Sequence, residues 1–376
     1  MIFLVGCTII ILLTVVAIVR SKKPLKTLCK EAKYDLVYNY IGSRAILQDI
    51  IMRGSNKIEL SLKSGKNAII TGGTRGIGLE VIRMLLKSDI NVIIGCRNVK
   101  QGELLLQNFR NDGIKSGNID VINLDISVMD SVRNFAKTVK EKYSTINYLI
   151  NNAGIMFGPY IETRDGYESQ FSTNYLGHFL LTHLTLPLLK AAGTKEEKSR
   201  IVNVSSCAHI AGEINFDDIN NRHGYIAGAA YAQSKMAQIL FTKYLDKLLQ
   251  IEEANVQVHA VHPGIVNTDL FNGTNLKKCM PLIPSLIFKV SSSFYFFSIQ
   301  WYIFINILFG FQSPLKGAVP IIYACLSPYL EGKGGTYIVN CKVLATSNAT
   351  DSEVLQEELF NFTNKLLNIT AFGSGD

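Results

Sequence analysis

Ala68-Ile69-Ile70-Thr71-Gly72-Gly73-Thr74-Arg75-Gly76-Ile77-Gly78 is the stretch that decides the fold. It opens on a short apolar run of strand type. After it, Leu79, Val81, Ile82, Leu85 and Leu86 recur at helical spacing. Strand, glycine turn and helix in that order form the setting of a dinucleotide fingerprint. Glycines let the backbone approach a pyrophosphate, and the helix N-terminus faces its negative charge. The spacing is G-x-x-x-G-x-G rather than G-x-G-x-x-G. A glycine-rich turn can also bind nothing, so the surrounding chain has to carry the reading.

From Lys66 onward, apolar β-type runs alternate with helical stretches. Strands are expected over 67–70, 91–95, 119–124, 147–151, 200–205, 256–261 and 335–339. Helices are expected near 77–87, 98–110, 127–142, 168–190, 228–250 and 315–326. This alternation implies βαβ units and a parallel sheet. Right-handed crossovers then give an α/β, doubly wound Rossmann fold, with a cofactor at the C-terminal edge of the strands.

Tyr231-Ala-Gln-Ser-Lys235 supplies the chemistry. On a helix, residues four apart share a face, so a phenol lies beside an ammonium. A tyrosine alone titrates near ~10 and is a poor base at neutral pH. A nearby cation favours the phenolate. The pair arises by chance in many helices and gains weight from the glycine turn upstream.

Together these residues resemble the short-chain dehydrogenase/reductase family over roughly Lys66 to Val343. Its motifs recur in order: the glycine turn, Asp125 after Val121-Ile122-Asn123-Leu124, Asn151-Asn152-Ala153-Gly154, Asn174, Ser205-Ser206, Tyr231 with Lys235, and Pro263-Gly264-Ile265-Val266-Asn267-Thr268. The resemblance implies that Tyr231 is the general acid/base and that Ser206, rather than Ser205, stabilises the substrate oxygen. It implies that Lys235 holds the nicotinamide ribose and lowers the Tyr231 pKa, and that Asn174 positions a proton-relaying water. Gly72, Thr74, Arg75, Gly76, Ile77, Gly78, Arg97, Asp125, Ile126, Asn152, Tyr231, Lys235, Val266 and Thr268 are the residues expected to meet the cofactor. No metal is required. The long Ser206–Tyr231 spacing, Thr163-Arg164-Asp165-Gly166, Asp217-Asp218 and Val266-Asn267-Thr268-Asp269-Leu270 are most similar to the retinol dehydrogenase-like branch. Within it they resemble the group associated with isoprenoid alcohols and aldehydes of the polyprenol–dolichol route.

An NAD-preferring site usually places an acid about 20 residues past the glycine turn. Here the second strand ends in Cys96-Arg97-Asn98, without one. Arg97 and Arg75 suit a 2′-phosphate, because guanidinium donates two aligned hydrogen bonds. Each could equally be solvated surface. As a pair they favour NADP(H), with NAD(H) still admitted.

The 376 residues suffice for one large domain with appendages, and the net charge is +8. No basic block interleaved with aromatics points to nucleic acid. Much of the excess is local: Arg20, Lys22, Lys23, Lys26 and Lys30 follow an uncharged apolar run, Ile2 to Val19. That run approaches bilayer-spanning length. A cleaved signal peptide is the rival, but the run lacks a basic n-region and a small-x-small cleavage site. The basic flank predicts a cytosolic body on a membrane, of the endoplasmic reticulum or a lipid droplet. Seven cysteines without a C-x-x-C pair argue for reduced thiols and against a zinc site. The sequon at Asn203 falls on an expected buried strand. Residues 1–20 thus read as a transmembrane anchor, 21–65 as a juxtamembrane linker, 66–345 as the catalytic domain and 346–376 as a C-terminal tail. Over Ala32–Met52 the linker has roughly helical apolar spacing, which fits either an interfacial helix or a plain linker helix.

The aromatic-rich segment 281–311 interrupts the βα pattern. It reads as an apolar substrate lid with membrane contact. The expected activity is interconversion of an apolar lipid alcohol, of polyprenol, dolichol or retinol type, and its carbonyl form. A steroid or fatty-acyl carbonyl reductase shares every chemical residue. An idle membrane-bound dinucleotide-binding scaffold is opposed by the intact Ser206, Tyr231, Lys235 and Asn174. The expected partners are a lipid substrate and a membrane, with a homodimer left open.

Overall fold

The computed structural model describes residues 25–266 and 312–375. Strands β1 (Asn67–Thr71), β2 (Asn91–Cys96), β3 (Ile119–Asn123), β4 (Tyr148–Asn151), β5 (Ser199–Val204), β6 (Val256–His262), β7 (Thr336–Val339) and β8 (Lys342–Leu344) form one sheet. Their order is β3-β2-β1-β4-β5-β6-β7-β8. The first seven are parallel, and β8 returns antiparallel along β7. The seven parallel strands, mostly buried Ile/Val runs, lie within two residues of their expected positions, whereas the largely exposed β8 was not anticipated.

Helices α2 (Gly76–Lys87), α3 (Val99–Asn111) and α7 (Pro314–Leu326) cover one face. Ile82, Leu85, Phe109 and Ile321 pack there against Ile70 and Ile94. Helices α4 (Met129–Lys142), α5 (Gly177–Ala192) and α6 (Ala227–Ile251) cover the other, with Val132, Phe179 and Leu240 against Ile69 and Leu149. Asn203 lies inside β5, buried and bonded to Thr242 Oγ1 at 2.9 Å, so its sequon is closed within the sheet.

Two segments differ from the sequence reading. The helix expected within the linker over Ala32–Met52 is present but longer, 27 residues in α1 (Leu25–Ile51), and it docks on the catalytic body. Tyr38 OH donates to Gly228 O at 2.8 Å, and Asp49 Oδ2 accepts from Ile265 N at 3.1 Å. Asp49 Oδ1 accepts from Asn340 Nδ2 at 2.8 Å. Periodicity hid this docking because the buried stripe mixes Ile41 and Ala45 with polar Tyr38 and Asp49. The expected tail holds α8 (Glu353–Leu366), whose Leu359 and Phe360 enter the core. Phe179 stands 5.4 Å from Phe360 and 4.9 Å from Phe372 between ring centroids.

The apolar run Ile2–Val19, the candidate Thr268 and the expected lid at 281–311 lie outside the described residues. Among the described residues, no helix is long and apolar enough to cross a membrane.

Candidate active site

Strand order reverses direction between β1 and β4, and the crevice at such a point is where open α/β sheets bind ligands. The glycine turn occupies it. Gly72 and Gly76 have φ of 69° and 58°, a region that favours glycine. A Cβ on Gly72 would stand 2.9 Å from Ala153 Cα, and one on Gly78 would stand 2.4 Å from Gly72 O. Side chains at these points would fill the cradle ahead of α2.

Asn152, expected to meet the cofactor, lines the cavity at this crevice, and its amide braces the turn. Nδ2 donates to Thr71 O at 2.9 Å and Gly72 O at 3.0 Å. Thr71 Oγ1 accepts from the backbone N–H groups of Asn152 and Ala153, both at 3.0 Å. Its own proton therefore goes to His178 Nε2, 2.9 Å away. That leaves the His178 ring proton on Nδ1, which donates to Asn174 O at 3.1 Å. Burial pushes His178 down to about 4, so the ring is neutral.

Asn174 sits in a π-helical turn, Ser172–Leu176, a widened ladder that recurs at functional sites. Its Oδ1 accepts from Ile155 N at 2.9 Å, and its Nδ2 donates to Ile155 O at 3.0 Å and Ser234 Oγ at 2.9 Å. A Cβ on Gly154 would lie 3.2 Å from Asn174 Oδ1 and 3.8 Å from Lys235 Nζ. Glycine keeps that space clear.

Tyr231 and Lys235 share a face of α6, with Nζ 5.6 Å from the phenol ring centroid. The two neighbouring serines divide their tasks. Ser205 Oγ donates to Lys235 O at 2.9 Å and is buried, whereas the Ser206 hydroxyl meets the Tyr231 phenol. Burial pushes the phenol above its ordinary value, and the hydrogen bond with Ser206 draws it back. The lysine was expected to do that, but its Nζ donates to Val204 O at 2.8 Å and Gln238 Oε1 at 3.0 Å. Burial instead brings the lysine itself down to about 7.

An apolar cap covers Tyr231. Met156 and Ala208 pack on it, and Phe157 and Tyr38 complete the cluster. Phe157 is 5.4 Å from Tyr231 and 5.2 Å from Tyr38 between centroids, edge-on in both pairs. Its φ of 56° is unusual for a large side chain, and Gln170 Oε1 holds it by accepting from Phe157 N at 2.8 Å.

These groups line one cavity of ≈ 1200 Å³. Arg75 and Arg97, both exposed, line it, and Asp125 and Ile126 line it as well. Asp125 Oδ1 accepts from Ser127 N at 3.0 Å and Ser127 Oγ at 2.7 Å, shaping that wall. Thr74, Ile77 and Val266 also line the cavity, while Asn174 stands behind it. A glycine cradle at a helix N-terminus, opening beside a tyrosine–lysine pair, fits a nicotinamide dinucleotide. The sequence reading missed Tyr38, Phe157, His178 and Gln238. For His178 a signal existed, since it follows Asn174 by four residues in the same motif.

Residues 66–278 match the family described as short chain dehydrogenase, and the chain belongs to it. It is 35% identical over 328 residues to human polyprenol dehydrogenase, covering 85% of this chain and 92% of that one. It is 34% identical over 341 residues to mouse retinol dehydrogenase 13, covering 90% and 95%. Among solved structures, an uncharacterized protein from Mycobacterium paratuberculosis is 28% identical with a TM-score of 0.62, covering 82% of this chain and 96% of its own. The protein is therefore an oxidoreductase acting on CH–OH groups with NAD(P)(H).

Proposed function

We propose that this is a membrane-anchored, NADP(H)-linked oxidoreductase interconverting an apolar lipid alcohol, of polyprenol or retinol type, and its carbonyl form. The observation that carries the reading is Tyr231, one turn from Lys235 with Nζ 5.6 Å from its ring centroid, under the cap of Met156, Phe157 and Tyr38. An apolar cap over one polar point suits a long hydrocarbon with a single terminal oxygen. The similarity to polyprenol and retinol dehydrogenases supports the same substrate class.

The bound nicotinamide would supply or accept the hydride. Tyr231 donates a proton to the substrate oxygen during carbonyl reduction and takes it back during alcohol oxidation. Ser206 hydrogen-bonds the same oxygen as charge develops on it. Lys235, near neutrality at about 7, can re-protonate the tyrosine. The clear space at Gly154 admits a water between Lys235 and Asn174, giving that proton a path.

Arg97 follows β2 where an acid would hold the ribose hydroxyls, and Arg75 caps the start of α2 beside the same cavity. Both positions suit a 2′-phosphate. Ile2–Val19 and its basic flank serve as the anchor, with the body on the cytosolic side.

Turnover of a polyprenal and a retinal by the full chain with NADPH is the test, alongside Tyr231→Phe. Loss of roughly 10²–10⁴ in kcat with retained NADPH binding is expected. Near-normal turnover in the variant would remove Tyr231 from the reaction.

A further inference from the structure

Helix α1 carries two opposed stripes. Its inner stripe, Tyr38, Ile41, Ala45 and Asp49, is bonded to or buried against the catalytic body. Its outer stripe is Leu36, Tyr40, Leu47 and Ile51, exposed by 60, 69, 58 and 74%. At 3.6 residues per turn these four lie within about 60° of one another, along roughly 22 Å of helix. Single exposed hydrophobic residues are ordinary on a soluble surface; an aligned row on one helix is not.

The chain leading into this helix indicates what covers the row. Leu25, its first residue, is preceded by the apolar run Ile2–Val19 and the cations Arg20, Lys22 and Lys23, and Lys26 and Lys30 follow within its first turns. An apolar stripe joined to a cationic cluster complements an anionic phospholipid surface. The inner side of the same helix walls the cavity through Tyr34, Tyr38 and Gly42.

The geometry points to α1 lying on an anionic phospholipid bilayer by its Leu36–Ile51 stripe, which seats the cavity mouth at the membrane surface. Substrate then passes from the bilayer to Tyr231 along the helix that is both membrane contact and pocket wall. This rests on the proposed lipid substrate of the same site. The function class alone does not require it, because an anchor could hold the body away from the membrane on a linker.

Photo-cross-linking of the full chain in phosphatidylcholine–phosphatidylserine vesicles tests the contact. Leu47→p-benzoylphenylalanine should form phospholipid adducts about tenfold above the same substitution at Leu104, exposed on α3. The triple variant Leu36→Glu, Leu47→Glu, Ile51→Glu should lose roughly tenfold in kcat/KM for a vesicle-borne polyprenal, with reduction of a short water-soluble aldehyde unchanged. Equal lipid adducts at both positions, adducts to a second copy or another protein, or unchanged vesicle kinetics would each overturn the docking. Reduction of the soluble aldehyde at full rate by Tyr231→Phe would place the failure in the proposed chemistry instead.

Discussion

Thr71 Oγ1 and His178 Nε2 stand 2.9 Å apart, and this contact ties the glycine turn to the π-turn that carries Asn174. The glycine turn and the turn that holds Asn174 are thereby one hydrogen-bonded unit, joined through a neutral imidazole.

His178→Ala should destabilise the protein by about 2–4 kcal/mol, from a buried hydroxyl left without its acceptor and from the cavity created. The pH sign follows from its folded value of about 4 against the ordinary 6.5. Stability is full above 6.5 and falls as pH drops toward 4, because only the unfolded chain takes the proton there. Denaturant midpoints at roughly pH 7.5 and 5 should converge in the variant relative to the unsubstituted protein. Buried His209, also brought to about 4, leaves part of the slope in place.

Lys235→Met should stabilise the cofactor-free protein at neutral pH while abolishing turnover. A buried ammonium brought from 10.5 to about 7 is held against its solvation preference. Its destabilisation is greatest below about 7 and relaxes as pH rises toward 10.5, since the unfolded chain then holds the extra proton. Each kcal/mol gained raises Tm by roughly 2–4 °C in domains of comparable scale. A lower Tm at neutral pH in the methionine variant would show that the bonds to Val204 and Gln238 outweigh the burial.

Arg97→Ala, alone or with Arg75→Ala, should weaken NADPH by roughly ten- to a hundredfold and NADH much less, the scale of one lost charge-assisted contact. Fluorescence titration of both cofactors reads the ratio. Equal losses would mean that neither arginine meets the 2′-phosphate.

Gly78→Ala should abolish binding of both cofactors with little loss of folded protein. The added methyl would meet Gly72 O at 2.4 Å and Asn152 Nδ2 at 2.7 Å, so the turn must shift. Circular dichroism and cofactor titration together separate this from unfolding. Retained binding would show that the turn yields without harm.

The sheet and its helices were legible because two periodicities alternate cleanly from Asn67 to Val339. The tyrosine–lysine pair was legible because both side chains lie one turn apart on a single helix. What escaped notice depends on residues distant in sequence. Tyr38 reaches Gly228 across 190 positions, and no local pattern marks that pairing. The division between Ser205 and Ser206 could be argued only by resemblance until the Lys235 carbonyl was located. Lys235 itself was assigned a task by proximity to the phenol, whereas burial decides its charge and its Nζ is bonded to Val204 O and Gln238 Oε1. The C-terminal helix passed for a tail because Leu359 and Phe360 find their partners on α5 and α6.

The hydrogen bond between Asp49 and Asn340 joins positions 291 residues apart. During synthesis at ~5–20 residues per second, the first helix would wait roughly 15–60 s for that partner to be made. Its partners arrive in turn, Gly228 before Ile265 and Ile265 before Asn340, so its inner side is covered in full only at the end of that interval. Assembly of the pocket is accordingly a late event in the life of the nascent chain. A ribosome-held chain ending before Asn340 should leave the N-terminal helix open to protease, and release of the full chain should protect it.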